Sequence, residues 1–246
     1  MINIFLKKVI VTHILISFLL ITLLYFIVIP LWYPSDLSRV SASSKIFKIL
    51  VSIEVGLFIG LILLLFIGRN NSGKEVLIIY FIFFSLQVGA AFIGIKTLYE
   101  AKPMYIVYEF DRFRIVRPID IFWGKENKEY NFFTGPQFYS AKEYPSSDIR
   151  LLKSIKDSID GFYPSFKKER LIPYEGSKTD IINNSNRLVT LSDRKLKKVI
   201  ELLGEINIDT LGYYPLVSHF SDEWIIIISL SDAKVLGYLH INGWNT

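Results

Sequence analysis

Three long runs of apolar residues occupy the first 95 positions of the chain. Residues 9–35 and 76–95 contain no charged side chain, and residues 49–68 contain a single one, Glu54. An α-helix needs about 20 predominantly apolar residues to cross a hydrocarbon core about 30 Å thick. Because the runs have almost no polar face to turn towards water, they predict a membrane domain over residues 1–95, with transmembrane helices at about 9–31, 49–68 and 76–95.

The first run also allows a second interpretation, as a cleaved signal peptide. Lys7 and Lys8 precede it, and Ser41-Ala42-Ser43 is a small-residue sequence of the kind found at cleavage sites. The apolar part of a signal peptide is about 7–15 residues long. This run is longer and ends in Trp32-Tyr33-Pro34, whose aromatic rings suit the headgroup zone. We therefore expect an uncleaved helix.

Residues 96–246 have the patterns of a water-soluble α+β domain. Two segments with strand-like alternation are followed by two with helical spacing, at residues 104–110, 112–117, 148–159 and 192–206. Asp111 is expected near the turn between the strands, and Ser192 or Asp193 is the expected N-cap of the second helix.

The C-terminal part of this domain predicts a sheet. Residues 161–187 are rich in Pro, Gly, Ser and Asn and are expected to form a loop between the helices. Strand-like runs then follow at residues 214–219, 224–230 and 235–241. Their short connections predict an antiparallel sheet covered on one face by helices.

Charge is unevenly divided between the two parts. Lys and Arg outnumber Asp and Glu by 7 to 3 in residues 1–95 and by 21 to 20 in residues 96–246. A nucleic-acid-binding domain would concentrate its basic excess on the soluble part, so this class is disfavoured.

Loop charges also bear on orientation. Lys7 and Lys8 favour a cytoplasmic N-terminus, which after three helices places the C-terminal domain in the periplasm. Arg69 and Lys74 would then be inside, but five cations would lie outside: Arg39, Lys45, Lys48, Lys96 and Lys102. We give the first helix the greater weight.

Motifs for catalysis, cofactors or metals are missing from the sequence. There is no cysteine, no Walker loop, no GxGxxG and no Gly-x-Ser-x-Gly. His219 and His240 lie in predicted strands without metal-ligand spacing and are expected to be structural. Asp222 and Glu223 are adjacent, so they would point to opposite faces of a strand. We expect neither an enzyme nor a bound cofactor or metal.

Glu54 is a carboxylate inside an apolar run. Such groups cost roughly 2.5 kcal/mol or more at a bilayer centre and usually face protein. At 1.5 Å per residue, Glu54 lies about 7.5 Å inside its run and Gln87 about 12 Å from the same membrane face. We predict that Glu54 and Gln87 form an intramembrane polar pair, with His13 too far away to take part. The alternative is that Glu54 reaches headgroups and water by itself.

A series of short motifs extends over nearly the whole chain. In order they are Trp32-Tyr33-Pro34, Ile53-Glu54-Val55, Gln87, Lys102-Pro103, Asp111-Arg112-Phe113, Ile115-Val116, Asp120-Ile121, Gly135-Pro136, Tyr214-Pro215-Leu216, Val235-Leu236-Gly237 and Trp244. No single motif is specific, but their order and spacing resemble the type IV pilin accessory proteins often labelled TfpX/TfpZ. The chain departs from that pattern in four places. It has Glu54 where the family has Asp, Lys102 where the family has Arg, and Phe58-Ile59 where Gly-Pro is usual. Of the two small residues expected before Trp244, only one is present.

The resemblance implies a non-enzymatic inner-membrane accessory protein, a chaperone or assembly factor for a cognate type IV pilin. It would engage the pilin through helix packing in the bilayer and through contacts from the periplasmic domain. Phe132, Phe133, Phe138 and Tyr139 form a candidate pilin-facing patch, with ordinary core residues as the alternative.

Two other classes remain open. One is a membrane-tethered sensor or ligand-binding protein, and the other is a membrane enzyme acting on a pilin-linked or lipid-linked substrate. A domain without a pocket lined by charged groups would count against both.

Overall fold

The structure is a computed structural model that describes residues 4–34, 37–41, 43–67, 72–124, 132–204 and 207–244. The chain divides into two compact units. The helical unit comprises Met1–Leu31 and Ala42–Glu100, and the sheet unit comprises Trp32–Ser41 and Ala101–Thr246. The sequence places the boundary at residue 96; here the sheet unit begins again at Ala101 and also includes the short segment between the first two long helices.

In chain order, the described helices are α1 (Ile4–Leu23), α2 (Ile29–Trp32), α3 (Leu37–Val40), α4 (Ser43–Ile67), α5 (Gly73–Ala101), α6 (Ile149–Ile159), α7 (Lys178–Asn183) and α8 (Asp193–Leu203). A π-helical segment, Leu24–Val28, joins α1 to α2. Pro30 explains it, because proline has no N–H and its ring clashes with the carbonyl of the regular turn before it. The continuous helix ends at Trp32.

Three described helices are long and apolar enough to cross a membrane: Lys7–Trp32, Ser43–Ile67 and Gly73–Ala101. This confirms the three predicted helices in length and composition. Their buried side chains pack closely. A Cβ atom at Gly94 of α5 would lie 1.9 Å from Leu50 Cδ2 of α4, so a larger residue here would force the Leu50 side chain to move.

The described strands are β1 (Tyr105–Tyr108), β2 (Phe113–Val116), β3 (Gln137–Ala141), β4 (Leu171–Pro173), β5 (Asn186–Arg187), β6 (Leu211–Val217), β7 (Trp224–Ser229) and β8 (Val235–Leu239). They form one sheet in the order β4-β3-β1-β2-β6-β7-β8, and β5 pairs with β6. The α+β class is confirmed.

The sheet is mixed, with antiparallel pairing among the three C-terminal strands as expected and two parallel pairs elsewhere. Neighbours in sequence pair antiparallel as expected, in β1–β2, β6–β7 and β7–β8. The two parallel pairs, β1–β3 and β2–β6, join strands separated by long connections. Parallel pairing requires such a crossover, which local alternation in the sequence does not reveal.

Helices cover both faces of the sheet, not one. In β7, Ile225 and Ile227 pack in the cluster that contains Val199 of α8. Ile226 and Ile228 point to the other face and pack with α3 and α7. Burial on both faces explains why β7 is a continuous apolar run rather than an alternating one.

The expected loop at residues 161–187 is instead partly ordered into β4, α7 and β5. Its proline and glycine content misled the prediction, because short 3₁₀ turns and an edge strand accept these residues. Pro173 ends β4 at the sheet edge, where no ladder hydrogen bond is lost. Both longer helices of this unit occur where predicted, and the Asp148 side chain caps α6 by accepting from Arg150 N.

Candidate functional site

A layer of hydrogen-bonded polar side chains lies inside the helical unit. Gln87 Nε2 donates to Glu54 Oε2 at 2.8 Å and to Ser17 Oγ at 2.7 Å. Ser17 Oγ in turn donates to Glu54 Oε2 at 3.3 Å. The structure thus brings Glu54 and Gln87 together and adds Ser17 from α1, so each of the three long helices contributes one residue.

The polar layer lies near the middle of its helices. Glu54 is the twelfth of the 25 residues of α4, and Gln87 is the fifteenth of the 29 residues of α5. At 1.5 Å per residue, both are about 16–21 Å from either helix end. Glu54 and Gln87 are also buried, which argues against the alternative that Glu54 reaches headgroups by itself.

His13 lies one helical turn before Ser17 and is fully buried. Its ring centroid is 6.0 Å from that of Phe58, in a stacked geometry, and 6.3 Å from that of Tyr80, edge to face. Neither ring nitrogen has a hydrogen-bond partner in the described part of the chain. His13 therefore forms an aromatic layer next to the polar one and does not hydrogen-bond Glu54.

Sequence reasoning missed Ser17, because a single serine barely changes the hydropathy of an apolar run. The available signal is its four-residue spacing from His13, since residues four apart on a helix share a face. Two polar residues on one face of an otherwise apolar helix indicate an inward-facing stripe.

The Trp32-Tyr33 pair, whose rings suit the headgroup zone, is buried within the sheet unit. Trp32 Nε1 donates to Phe132 O at 2.5 Å, and the Lys102 ammonium lies 5.5 Å from the Trp32 ring centroid. Burial lowers the pKa of Lys102 to about 8 and raises that of Tyr33. The sequence does not reveal that this pair is buried, because the residues that it contacts are about 70 to 100 positions away.

The Asp111-Arg112-Phe113 motif and Trp244, which are far apart in the sequence, lie in contact in the sheet unit. Arg112 donates to both carboxylate oxygens of Asp111, at 2.7 and 2.6 Å. Its guanidinium carbon is 4.6 Å from the centroid of the Trp244 ring. Phe113 lies in the core. The remaining motif positions are Pro34 after α2, Pro103 before β1, Gly135 and Pro136 before β3, Pro215 in β6 and Gly237 in β8.

A groove of about 460 Å³ in the sheet unit is lined by charged, aromatic and apolar side chains, from the β1–β2 turn, α6 and the segment before β4. Arg114, which is buried, projects into it. Its Nε donates to Glu109 Oε2 at 2.9 Å, and its guanidinium carbon is 3.6 Å from the centroid of the Tyr163 ring. In the described residues, the two Nη atoms have no hydrogen-bond partner. The sheet unit therefore has a pocket lined by charged groups. Its presence means that neither the ligand-binding class nor the enzyme class is disfavoured on this ground.

The polar side chains around this groove are largely paired with one another. Arg170 donates to Ser154 Oγ at 2.5 Å and to Lys142 O at 3.0 Å. Glu109 Oε1 accepts from Ser165 N at 3.2 Å. Burial raises the pKa of Glu143, opposed by the nearby Arg170. The open Nη atoms of Arg114 therefore stand out as a fixed donor fork that suits a carboxylate.

The two histidines of the sheet unit lie beyond strand ends, not within strands as expected. His219 follows β6, and His240 follows β8. His240 Nε2 is 3.6 Å from Glu223 Oε2, both on exposed side chains. No group of three or more His, Asp or Glu side chains in the described ranges could hold a metal ion.

The proposed aromatic patch does not form one surface. Phe132 and Phe133 are exposed. Phe138 and Tyr139 are consecutive in β3, point to opposite faces and pack in separate clusters. Phe138 and Tyr139 are therefore ordinary core residues, as the alternative interpretation expected.

The chain is similar to fimbrial assembly proteins of Dichelobacter nodosus. It is 23% identical to the serogroup I protein over 230 residues, which cover 88% of each chain, and the serogroup E1 protein gives the same values. The protein of serogroups C1 and C2 is 27% identical over 110 residues, covering 44% of this chain and 82% of the relative. No protein-family model matches, and no solved structure matches. The similarity supports a role in pilus assembly.

Proposed function

We propose that this chain is an accessory protein of the TfpX/TfpZ kind, which assists the assembly of a type IV pilus by stabilising its cognate pilin. The observation that carries the proposal is the similarity to fimbrial assembly proteins over 88% of both chains. The protein acts without catalysing a reaction, in the bacterial inner membrane, with its sheet unit in the periplasm. The motif series from Trp32 to Trp244 supports the finer assignment.

Physical features of both units suit a pilin chaperone. The outer surfaces of α1, α4 and α5 carry exposed Leu, Ile and Phe side chains, which can pack against an apolar helix in the bilayer. The polar layer of Ser17, Glu54 and Gln87 links all three helices and holds them in one register. The sheet unit adds a folded surface that can contact a pilin head.

Deletion of the gene tests this function. Pilus number and pilin level should fall and should return when the chain is supplied in trans. His219→Ala and His240→Ala should leave piliation intact, since neither residue takes part in chemistry. Unchanged pili after deletion would refute the assembly role, and loss of pili in a well-folded His240→Ala protein would indicate catalysis.

Orientation is tested with fusions. Alkaline phosphatase fused after Thr246 should be active, whereas a fusion within residues 69–74 should be inactive. The reverse pattern would exclude a periplasmic chaperone.

A ligand-binding role is the second candidate, and the charged groove around Arg114 favours it. In that case, Arg114→Met would abolish a response to a small ligand while pilin level stayed normal.

A further inference from the structure

Helix α6 turns its apolar side outwards. Ile149, Leu152 and Ile159 are 84%, 71% and 80% exposed, and Ile155 is also exposed. These four residues, the outward face of α6, share one side of the helix because they recur at three- and four-residue intervals. Solvent exposure of four large aliphatic side chains on one helix is unusual for a surface that stays in water.

Polar contacts fix this orientation from the other side. Ser154 is buried and accepts a hydrogen bond from Arg170 Nη1. Asp157 forms an ion pair with Lys167. Because both anchors lie on the inner side of α6, the helix cannot rotate its apolar residues inwards without losing them.

The groove continues the same surface. Leu151, Ile155 and Ile159 form its apolar wall, and Arg114 faces them. Phe110, in the neighbouring β1–β2 turn, is exposed and has a φ of 58°. A left-handed conformation is costly for an aromatic residue and is found at functional sites more often than elsewhere.

Charge selects among the possible occupants. Three arginines and three acids line the groove, so it lacks the positive excess that attracts an anionic lipid surface. A second copy of the chain would bring Lys153 and Lys156, at one edge of the outward face, against the same lysines. The open Nη atoms of Arg114 suit one carboxylate, and the outward face suits apolar side chains.

We propose that the outward face of α6 and the Arg114 groove form the docking surface for a pilin segment that carries apolar side chains and a carboxylate. This inference rests on the proposed function and names the contact through which it operates. Arg114 binds the carboxylate, and Leu152 and Ile159 pack against the apolar side chains.

Photo-cross-linking in cells tests the surface. The full chain carries p-benzoylphenylalanine at Leu152 or, as a control, at the exposed Lys198 of α8, and the cells produce the cognate pilin. An adduct with pilin is expected from position 152 and not from position 198. Arg114→Met should reduce the adduct about tenfold, which corresponds to about 1.4 kcal/mol of binding free energy. If that variant fails to fold, Ile159→Asp, at an exposed position, should give the same reduction.

The other outcomes are distinct. An adduct between two copies of the chain would replace the proposal with a self-interface. An absent pilin adduct in cells where gene deletion still removes pili would overturn the docking surface and leave the assembly role. Deletion without effect on pili would refute the proposed function itself.

Discussion

Helices α6 and α8 each contain 11 residues and are strongly amphipathic. However, α8 turns its apolar side inwards, whereas α6 turns its apolar side outwards. Helix α8 buries Val199 in a core cluster and exposes Lys197 and Lys198. Helix α6 buries Ser154 and exposes Leu152. Amphipathic spacing establishes that a helix has two different sides, but the surface beneath the helix decides which side turns inwards.

The helical unit, like α6, has polar residues on its inner side and apolar residues on its outer side. Its polar residues Ser17, Glu54 and Gln87 meet inside, and apolar residues such as Phe92 are exposed. Lipid covers an outward apolar surface in a membrane, so no partner is required there. In water an equivalent surface favours a protein partner, which is why α6 is the part of the sheet unit that we connect to binding.

The largest effect is expected from a charge in the buried side of α8. Val199→Asp should lower the free energy of unfolding by roughly 3 kcal/mol or more, because a carboxylate would be placed in an apolar cluster. The melting temperature of the full chain in detergent measures this. A melting temperature equal to that of the unsubstituted chain would show that α8 does not pack as described.

A smaller loss is expected when the polar anchor of α6 is removed. Arg170→Met deletes the donors to Ser154 Oγ and Lys142 O. It should cost about 1.5–3 kcal/mol, the range for hydrogen bonds to charged groups. Trypsin should then cut faster at Lys153 and Lys156. If cleavage there is unchanged, the contacts of Arg170 do not hold α6 in place.

The polar layer should show coupling of about 0.6–2 kcal/mol, the range for hydrogen bonds between transmembrane helices. Gln87→Leu should therefore harm the protein mainly while Glu54 is present. Detergent melting of the single and double Leu variants measures the coupling. Strictly additive effects would show that the contact contributes nothing to stability.

The smallest effect on stability is expected at the outward face of α6. Leu152→Ser should change the free energy of unfolding by less than about 0.5 kcal/mol, as is usual for exposed positions. Its melting temperature should match that of Lys198→Ser in α8. A clear loss of stability would mean that the outward face is packed within the chain itself.

Sequence patterns predicted the parts of the structure that depend on local spacing. Hydropathy located the three long helices, and similar depths in two apolar runs pointed to Glu54 and Gln87. The same local signals could not locate β3 and β4, whose neighbours are distant in sequence. They also missed the burial of Trp32, the contribution of Ser17 and the outward orientation of α6, because each depends on residues that only the fold brings near.

Pilus number in cells that carry Leu152→Asp together with Ile159→Asp tests the account most directly. Immunoblotting and detergent melting first establish that this double variant accumulates and melts like the unsubstituted chain, and Lys197→Asp with Lys198→Asp in α8 serves as the matched control. We predict that pili are lost in the α6 variant and kept in the control. Normal pili in a stable α6 variant would contradict the claim that this face serves pilus assembly.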